Sequence, residues 1–177
     1  MKPCPWTVGR SALILSEMSY AEYYTPPVGA WAAPQPVQWI HCSNGNYPHN
    51  AIEAGHDSGA RLLVARAYFN GALIPGKLHA GHTSCYVAWN GQEHPVPNYE
   101  VLVAQPGALR WVPSTGGYLL ANAVLGGHSE NGEQLLVGRA YHAGTTVPGK
   151  VHPSHRVCYI PYGGQEIPVS HYDVLMR

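Results

Sequence analysis

The sequence carries little charge, and the charges that it has cancel. Only 11% of its 177 residues are Asp, Glu, Lys or Arg, and the formal net charge at pH 7 is zero. Proteins that bind nucleic acid or anionic membrane surfaces draw much of their affinity from clustered Lys and Arg. Because the sequence has no basic cluster, we expect neither nucleic acid nor a membrane surface among its partners.

Long apolar segments are also missing from the sequence. No run approaches the ~20 apolar residues that a membrane-spanning helix needs, so we expect no membrane insertion. Near the amino terminus, the apolar stretch from Ala12 to Leu15 is too short for the core of a signal peptide, and Glu17 soon follows it. We therefore expect a cytoplasmic protein, with release by a non-classical route left open.

Motifs that carry catalysis are hard to find. The sequence has no Gly-x-Ser-x-Gly nucleophile elbow and no glycine-rich phosphate loop ending in Lys-Ser or Lys-Thr. A glycosidase would need two carboxylates at a defined separation across a cleft, and the sequence alone does not give that separation. We therefore predict that the protein is not an enzyme and needs no cofactor.

What the sequence does contain is internal similarity. Trp39 and the motifs that follow it recur from Trp111 onward, at an offset of 72 residues. At Arg66, which matches Arg139, the offset has become 73, so the second copy has one residue inserted beside its Gly-His-Ser segment. A repeat of about 65 residues buries little apolar surface by itself, which predicts two halves that share an interface.

The duplication gives the domain organisation. We predict an N-terminal extension over residues 1–38, a first repeat over 39–105 and a second repeat over 106–177. The extension is rich in Pro, Ala and aromatic residues, Trp6 and Trp31 among them. It is either a mobile tail or an arm that docks through its aromatic side chains. A docking arm would make the protein an interaction or structural module, which is our alternative prediction for its function.

Each repeat has the pattern of β-strands. In Leu62–Tyr68 the side chains alternate between two faces, and small residues occupy one face in both copies, which predicts that another sheet or a backbone packs closely on that face. Asn90-Gly91 and Gly163-Gly164 are typical of tight hairpin turns, because these residues tolerate positive φ. Sixteen prolines and 20 glycines leave little room for long helices. We predict an all-β protein made of two tandem antiparallel repeats related by a pseudo-two-fold axis.

Two series of histidine and cysteine have a spacing that invites a zinc site. His79, His82 and Cys85 lie three residues apart, and the series recurs in the second repeat with Cys158 at its end. In a strand, residues three apart point to opposite faces, and neither repeat offers a clear fourth ligand. We therefore predict hydrogen-bonded histidines and no metal, with both cysteines as buried thiols.

The candidate binding residues are an acid and a lysine that flank one strand. In the first repeat, Asp57 of Gly-His-Asp precedes the strand and Lys77 of Pro-Gly-Lys follows it. A turn near Asn70-Gly71 would bring both loops to one edge, where a carboxylate and an ammonium suit the neighbouring hydroxyls of a sugar. The alternative is a surface salt bridge, worth about 0–1 kcal/mol.

The second repeat keeps the lysine, as Lys150, but its acid depends on where the inserted residue is placed. If the gap follows Ser129, that residue takes the place of Asp57 and the carboxylate is lost. If the gap precedes Ser129, Glu130 takes that place and an acid one methylene longer remains. Other acids recur in both repeats and are expected to cap backbone donors or to pair with the repeated arginines: Glu93, Glu100, Glu166 and Asp173.

These motifs resemble a known family. Gly-His-Asp, Leu-Val-x-Arg-Ala-Tyr, Pro-Gly-Lys, Cys-Tyr-Val/Ile, Gly-Gln-Glu and Tyr-Glu/Asp-Val-Leu occur in this order and in duplicate. The set is similar to the repeats of the DM-nine repeat family, over about residues 39–175. The resemblance implies two β-rich repeats about a pseudo-two-fold axis, often in a homodimer. It also implies a lectin that binds mannose in innate immune recognition.

The same resemblance implies which residues bind the sugar. The family's acid and lysine correspond to Asp57 and Lys77 in the first repeat. In the second repeat they correspond to Lys150 together with Ser129 or Glu130. The implied ligand is mannose, or a mannose-containing glycan on a microbial or cell surface, bound without a metal. Residues 1–38 match nothing that we can assign to the family.

Overall fold

A computed structural model describes residues 37–116 and 121–177 of the chain. Residues 1–36, and with them the question of whether an aromatic arm docks, lie outside this description. In the described ranges, no helix is long and apolar enough to cross a membrane.

Fourteen β-strands and no helix make up the regular structure of the described residues. The first seven strands are β1 (Gln38–Ser43), β2 (Glu53–Asp57), β3 (Ala60–Phe69), β4 (Ala72–His79), β5 (Cys85–Trp89), β6 (Gln92–Val96) and β7 (Asn98–Val103). The other seven are β8 (Arg110–Ser114), β9 (Leu125–His128), β10 (Gln134–His142), β11 (Thr145–His152), β12 (Val157–Tyr162), β13 (Gln165–Val169) and β14 (Tyr172–Met176). Each strand of the first set has its counterpart seven strands later, so the predicted all-β tandem repeat is confirmed.

The strands form one antiparallel sheet that closes on itself. Through hydrogen-bonded neighbours, the order β4-β5-β6-β13-β12-β11-β10-β9 returns to β4 where His128 pairs with Leu73. The remaining six strands extend this closed ring, with β2, β3, β7 and β1 beside β4 and with β14 and β8 beside β10. Gln92 pairs with Gln165, its own counterpart in the other repeat, so the pseudo-two-fold axis passes between β6 and β13.

The two repeats are joined by reciprocal hydrogen bonds as well as by the ring. In the first repeat, the Arg66 Nη1 donates to the carbonyl of Gly126 at 3.3 Å. In the second, the Arg139 Nη1 donates to the carbonyl of Ala54 at 3.1 Å. Since Ala54 and Gly126 are themselves equivalent positions, each repeat supplies the same donor and the same acceptor to its neighbour.

The buried apolar residues form three clusters that follow this arrangement. One cluster is built from the first repeat and one almost wholly from the second. The third is shared between the repeats and comprises Ala54, Val64, Leu102, Val124, Val137 and Leu175. The expectation that two small halves would share an interface is therefore confirmed, because the third cluster contains buried residues of both repeats.

The local predictions for strands and turns are also confirmed. Ala65 and Ala67 are buried in the first cluster. At Gly138, which matches Ala65 in the second repeat, an added Cβ would lie 2.5 Å from Val151 Cγ2. The close neighbour predicted for this face is therefore first a side chain of the same sheet, not a second sheet. Asn90 and Gly91 both have positive φ, 49° and 80°, as a tight hairpin turn requires.

Candidate functional site

The Pro-Gly-Lys segments lie where two strands come unusually close. A Cβ on Gly76 would stand 2.1 Å from the carbonyl oxygen of Tyr86, and one on Gly149 would stand 2.1 Å from that of Tyr159. Only glycine allows this approach. The lysine that follows each glycine pairs with the equivalent tyrosine of the next strand, Lys77 with Tyr86 and Lys150 with Tyr159.

Each of these lysines forms a buried ion pair with a glutamate. The Lys77 Nζ lies 2.9 Å from Glu93 Oε1, and the Lys150 Nζ lies 2.9 Å from Glu166 Oε1. In both pairs the lysine side chain is 9% exposed and the glutamate 10%. Charges this buried are tolerated when they are paired and hydrogen-bonded, so the ion pair holds each lysine in a fixed position.

The second oxygen of each glutamate reaches across the pseudo-two-fold axis. The Gly164 N–H donates to Glu93 Oε2 at 2.7 Å, and the Gly91 N–H donates to Glu166 Oε2 at 2.7 Å. The hairpin turn of one repeat therefore orients the glutamate of the other. The prediction that these glutamates cap backbone donors is confirmed.

The other repeated acids pair with the repeated arginines, as predicted. The Arg66 Nε donates to Glu100 Oε2 at 2.5 Å, and the Arg139 Nε donates to Asp173 Oδ2 at 2.9 Å. These pairs lie among residues different from those around the lysines. They leave Glu93 and Glu166 free to serve the lysine sites.

Around Lys150 the three predicted residues of the second repeat come together. A pocket of about 220 Å³ contains Lys150, Ser129 and Glu130, with residues of the first repeat on its other side. The remaining lining residues are Ala72, Ile74, Trp89, Asn90, Leu135, His152, His155, Tyr159 and Glu166. We call this the Lys150 pocket.

The strand pairing decides which residue takes the place of Asp57. His56 pairs with Arg61 in the first repeat, and His128 pairs with Gln134 in the second. These pairs are equivalent, so Ser129 occupies the position of Asp57 and the inserted residue follows it. Glu130 lies one position further along the loop and lines the same pocket.

Asp57 is half-buried, and its Oδ1 accepts a hydrogen bond from Ser58 Oγ at 3.1 Å. Among the described residues, the carboxylate paired with Lys77 is that of Glu93, and no ion pair joins Asp57 to Lys77. Asp57 and Lys77 both act on His82, whose pKa is lowered by burial first and then by His79 and Lys77, while Glu93 and Asp57 oppose the shift. Both predicted residues therefore influence the same histidine, but they do not form an ion pair with each other. Sequence reasoning missed Glu93 as the lysine's partner.

Aromatic rings cover the lysines. The Lys77 Nζ lies 5.7 Å from the ring centroid of Tyr86 and 5.2 Å from that of Tyr162. The Lys150 Nζ lies 5.3 Å from the ring centroid of Tyr159. Distances of this size are those of cation–π contacts, which hold each ammonium against an apolar wall.

The histidines form stacked pairs beside the lysines. His79 and His82 have ring centroids 4.1 Å apart, and His152 and His155 have theirs 3.7 Å apart at an interplanar angle of 3°. The predicted hydrogen bonding holds for His155, whose Nδ1 lies 3.1 Å from Tyr159 Oη. In the described part of the chain, no group of three or more His, Cys, Asp or Glu is placed to hold a metal ion.

The cysteines of the two series are buried thiols, as predicted. Cys85 and Cys158 are fully buried, and neither forms a disulfide. Burial raises the pKa of both thiols well above its ordinary value. They are therefore packing residues, with no thiolate available for chemistry at neutral pH.

Comparison with known proteins identifies the repeats. The model of the DM9 repeat matches residues 16–83 and 57–169, so its first match begins inside the segment predicted to precede the repeats. Among solved structures, the nematode sperm cell motility protein MFP2B matches with a TM-score of 0.58 and 16% identity, over 86% of this chain and 51% of that one. This likeness shows the fold, and the chain spans about half the length of that protein. No curated protein matches the sequence.

Proposed function

This chain belongs to the DM9 repeat family, and from that premise we propose that it is a non-enzymatic lectin of innate immune recognition that binds mannose-type sugars without a metal. One observation carries the proposal. Each repeat holds a buried lysine in a fixed position under an aromatic ring, beside a polar loop. A free surface salt bridge would need none of this construction.

The chemistry of the Lys150 pocket suits neighbouring sugar hydroxyls. The Lys150 Nζ donates to the Ala88 carbonyl at 2.7 Å and pairs with Glu166, which leaves the third N–H of the ammonium for a ligand. The carboxylate of Glu166 retains lone pairs that accept from a second hydroxyl. Tyr159 and Trp89 supply the apolar wall against which the C–H face of a sugar ring can lie.

The size of the pocket fits a single sugar. Its volume of about 220 Å³ is below the roughly 300 Å³ at which pockets for drug-sized ligands begin. A site with so few hydrogen bonds should bind weakly, roughly at millimolar Kd, or about −4 kcal/mol. Two sites in one chain, and four in a homodimer, would then give avidity on a glycan-coated surface.

In the first repeat we assign the sugar to Asp57 and Lys77, whose charges both act on His82. Asp57 is the more informative residue to change, because its one hydrogen bond is to a neighbouring serine and its loss leaves no buried charge. Lys77, in contrast, belongs to a buried pair, so its removal disturbs the fold as well as the site.

The experiment is retention on mannose-agarose, with and without EDTA, followed by elution with free mannose. The proposal predicts retention that ignores EDTA, yields to mannose and falls strongly in the isosteric variant Asp57→Asn. Glu53→Gln is the matched control, since it makes the same acid-to-amide change at an exposed carboxylate of the same strand that belongs to neither lysine pair. Full retention of Asp57→Asn would place the sugar elsewhere, and loss of retention in EDTA would contradict a metal-independent site.

The alternative proposal is an interaction or structural module that uses the aromatic residues of the extension. Deleting residues 1–36 discriminates between the two, because those residues contain the aromatic side chains but no residue of either lysine site. A lectin keeps its retention on mannose-agarose after the deletion. An interaction module shows no retention with or without the extension.

A further inference from the structure

We propose that the chain carries a second pair of sugar sites, one groove in each repeat. The Arg66 groove contains Arg66, Tyr68 and Glu100, and the Arg139 groove contains their counterparts Arg139, Tyr141 and Asp173. Neither groove shares a lining residue with the Lys150 pocket. The inference rests on the proposed function only for the class of ligand, a neutral hexopyranose.

The first observation is a tyrosine exposed at the same position in both repeats. Tyr68 is 67% exposed and Tyr141 is 71% exposed, which makes them the most exposed large apolar side chains of the described residues. They are not needed to fill the core. The ring of Tyr68 is steadied by an edge contact with His128 of the other repeat, at a centroid distance of 6.3 Å.

The second observation is an arginine immobilised beside each tyrosine. The Arg66 Nε donates to Glu100, its Nη1 donates to Gly126, and its Cζ lies 4.2 Å from the ring centroid of Trp39. These bonds use two of the five guanidinium N–H groups. Within the described residues, the other three have no protein partner, although the guanidinium that carries them is fixed on three sides.

The Arg139 groove has the same arrangement, formed by the equivalent residues. The Arg139 Nε donates to Asp173, its Nη1 donates to Ala54, and its Cζ lies 4.5 Å from the ring centroid of Trp111. The arginines are 17% and 27% exposed, so their remaining N–H groups are accessible from the grooves. Both repeats thus present donors, an acceptor and a ring in one place.

A neutral polyhydroxyl ligand fits this combination better than an ion. The carboxylate already neutralises the guanidinium, so an anionic ligand gains little from it and meets a like charge beside it. A sugar hydroxyl can accept from a free guanidinium N–H and donate to the second carboxylate oxygen. The exposed tyrosine offers its ring to the apolar face of the same sugar. The grooves measure about 360 and 270 Å³.

The test is a titration of the full chain with methyl α-D-mannopyranoside, followed by NMR. The Nε–H signals of Arg66 and Arg139 report the grooves, and the indole N–H of Trp89 reports the Lys150 pocket. We expect the arginine signals to shift with dose. In the double variant Tyr68→Ala/Tyr141→Ala, the affinity read from those signals should fall about three- to tenfold.

Two controls separate a stacking role from a structural one. The double variant Tyr68→Phe/Tyr141→Phe keeps the rings and should keep most of the arginine response. Tyr47→Ala removes an exposed tyrosine that lies outside the grooves and should change nothing. Arginine signals that stay still in the wild type, or that respond equally in the alanine variant, would overturn the proposal.

The same spectra distinguish this inference from the proposed function. If the Trp89 signal shifts and the arginine signals do not, the sugar does not bind in the grooves, and the result supports the Lys150 pocket. Movement of the arginine signals alone, lost in the alanine variant, supports the grooves and counts against the Lys150 pocket.

Discussion

The two repeats hold the same lysine–glutamate pair but treat the neighbouring histidine differently. In the second repeat, His152 Nδ1 lies 3.4 Å from Glu133 Oε1 and 3.3 Å from Ser154 Oγ. Glu133 also accepts two hydrogen bonds from Ser154, from its backbone N–H at 2.8 Å and from its hydroxyl at 2.7 Å. In the first repeat, the matching His79 has a buried Nδ1 without a hydrogen-bond partner among the described residues.

The cause of the difference can be read from two substitutions between the copies. Ala60 and Gly81 stand where the second repeat has Glu133 and Ser154. Neither has a side chain that can form a hydrogen bond, so His79 loses both partners at once. An unpaired buried polar atom costs about 1–3 kcal/mol, and a ligand hydroxyl that reached it would recover part of that cost.

The comparison therefore separates a frame from its loops. Both repeats fix the lysine through glycine, tyrosine and glutamate at the same positions. The loops then differ: the first repeat offers Asp57 and an unsatisfied histidine, whereas the second closes its loop with Glu133 and Ser154. Under the proposed function, the first repeat should therefore bind sugar more tightly than the second.

The largest effect should come from breaking the frame, and it should be equal in the two repeats. Lys77→Met and Lys150→Met each leave a glutamate that is 10% exposed without its counter-charge. We expect each change to lower the free energy of unfolding by about 3–5 kcal/mol. The measurement is urea denaturation followed by tryptophan fluorescence.

The matched control for the urea denaturation of Lys77→Met removes the charges of both Lys77 and Glu93. In Lys77→Met/Glu93→Gln, the glutamine can still accept from the Gly164 N–H, so no buried charge is left unpaired. This double variant should be more stable than Lys77→Met alone. If the single and double variants unfolded at the same urea concentration, the buried pair would not be what fixes the lysine.

The sequence marks the lysine as a candidate but does not show its partner, for a physical reason. Pro-Gly-Lys marks Lys77, and the repeated Gly-Gln-Glu marks Glu93, but 15 residues, including a hairpin turn, lie between the two. Their contact depends on the close approach of β4 and β5 and on a turn from the other repeat. A pattern along one strand contains neither. The closure of the ring through β9 and β4 is likewise a contact between distant segments.

The faces and turns, in contrast, could be predicted because they depend on neighbours in the chain. The alternation in β3 and the positive φ at Asn90 follow from local geometry. The choice between Ser129 and Glu130 is intermediate between a feature set by neighbours in the chain and a contact between distant segments. It needed only the register of β9 on β10, which a one-residue insertion hides from the sequence.

A smaller effect should come from making the second repeat resemble the first. Glu133→Ala removes the acceptor of both Ser154 hydrogen bonds and the partner of His152. We expect a loss of about 1–2 kcal/mol in the free energy of unfolding, since Glu133 is partly exposed. Ala60→Gly, at the matching position, should cost less because no such bonds exist there. An equal loss of stability in both variants would mean that the contacts of Glu133 with Ser154 and His152 do not distinguish the repeats.

The smallest effect is a dependence of stability on pH that originates in the same contacts among Glu133, His152 and Ser154. The pKa of His152 is lowered by burial first and then by the charges of His155 and Lys150, against the opposing effect of Glu133. As the pH falls through the ordinary histidine value of about 6.5, the unfolded chain takes up this proton before the folded chain does. The stability tied to neutral His152 is therefore present above that pH and lost below it.

Glu133 adds a contribution of the same sign at lower pH. Burial tends to raise its pKa, but the hydrogen bonds from Ser154 outweigh burial and leave the pKa lowered. That contribution is present above the ordinary carboxyl range and disappears as the pH falls through the pKa of the folded state. Between pH 7.5 and 5.5, His152 and His82 both have lowered pKa values and contribute with the same sign, and we expect urea denaturation to show a loss of a few tenths of a kcal/mol from His152. His152→Gln should reduce the dependence of stability on pH, and an unchanged slope in that variant would place the acid sensitivity outside the contacts of His152 with Glu133 and Ser154.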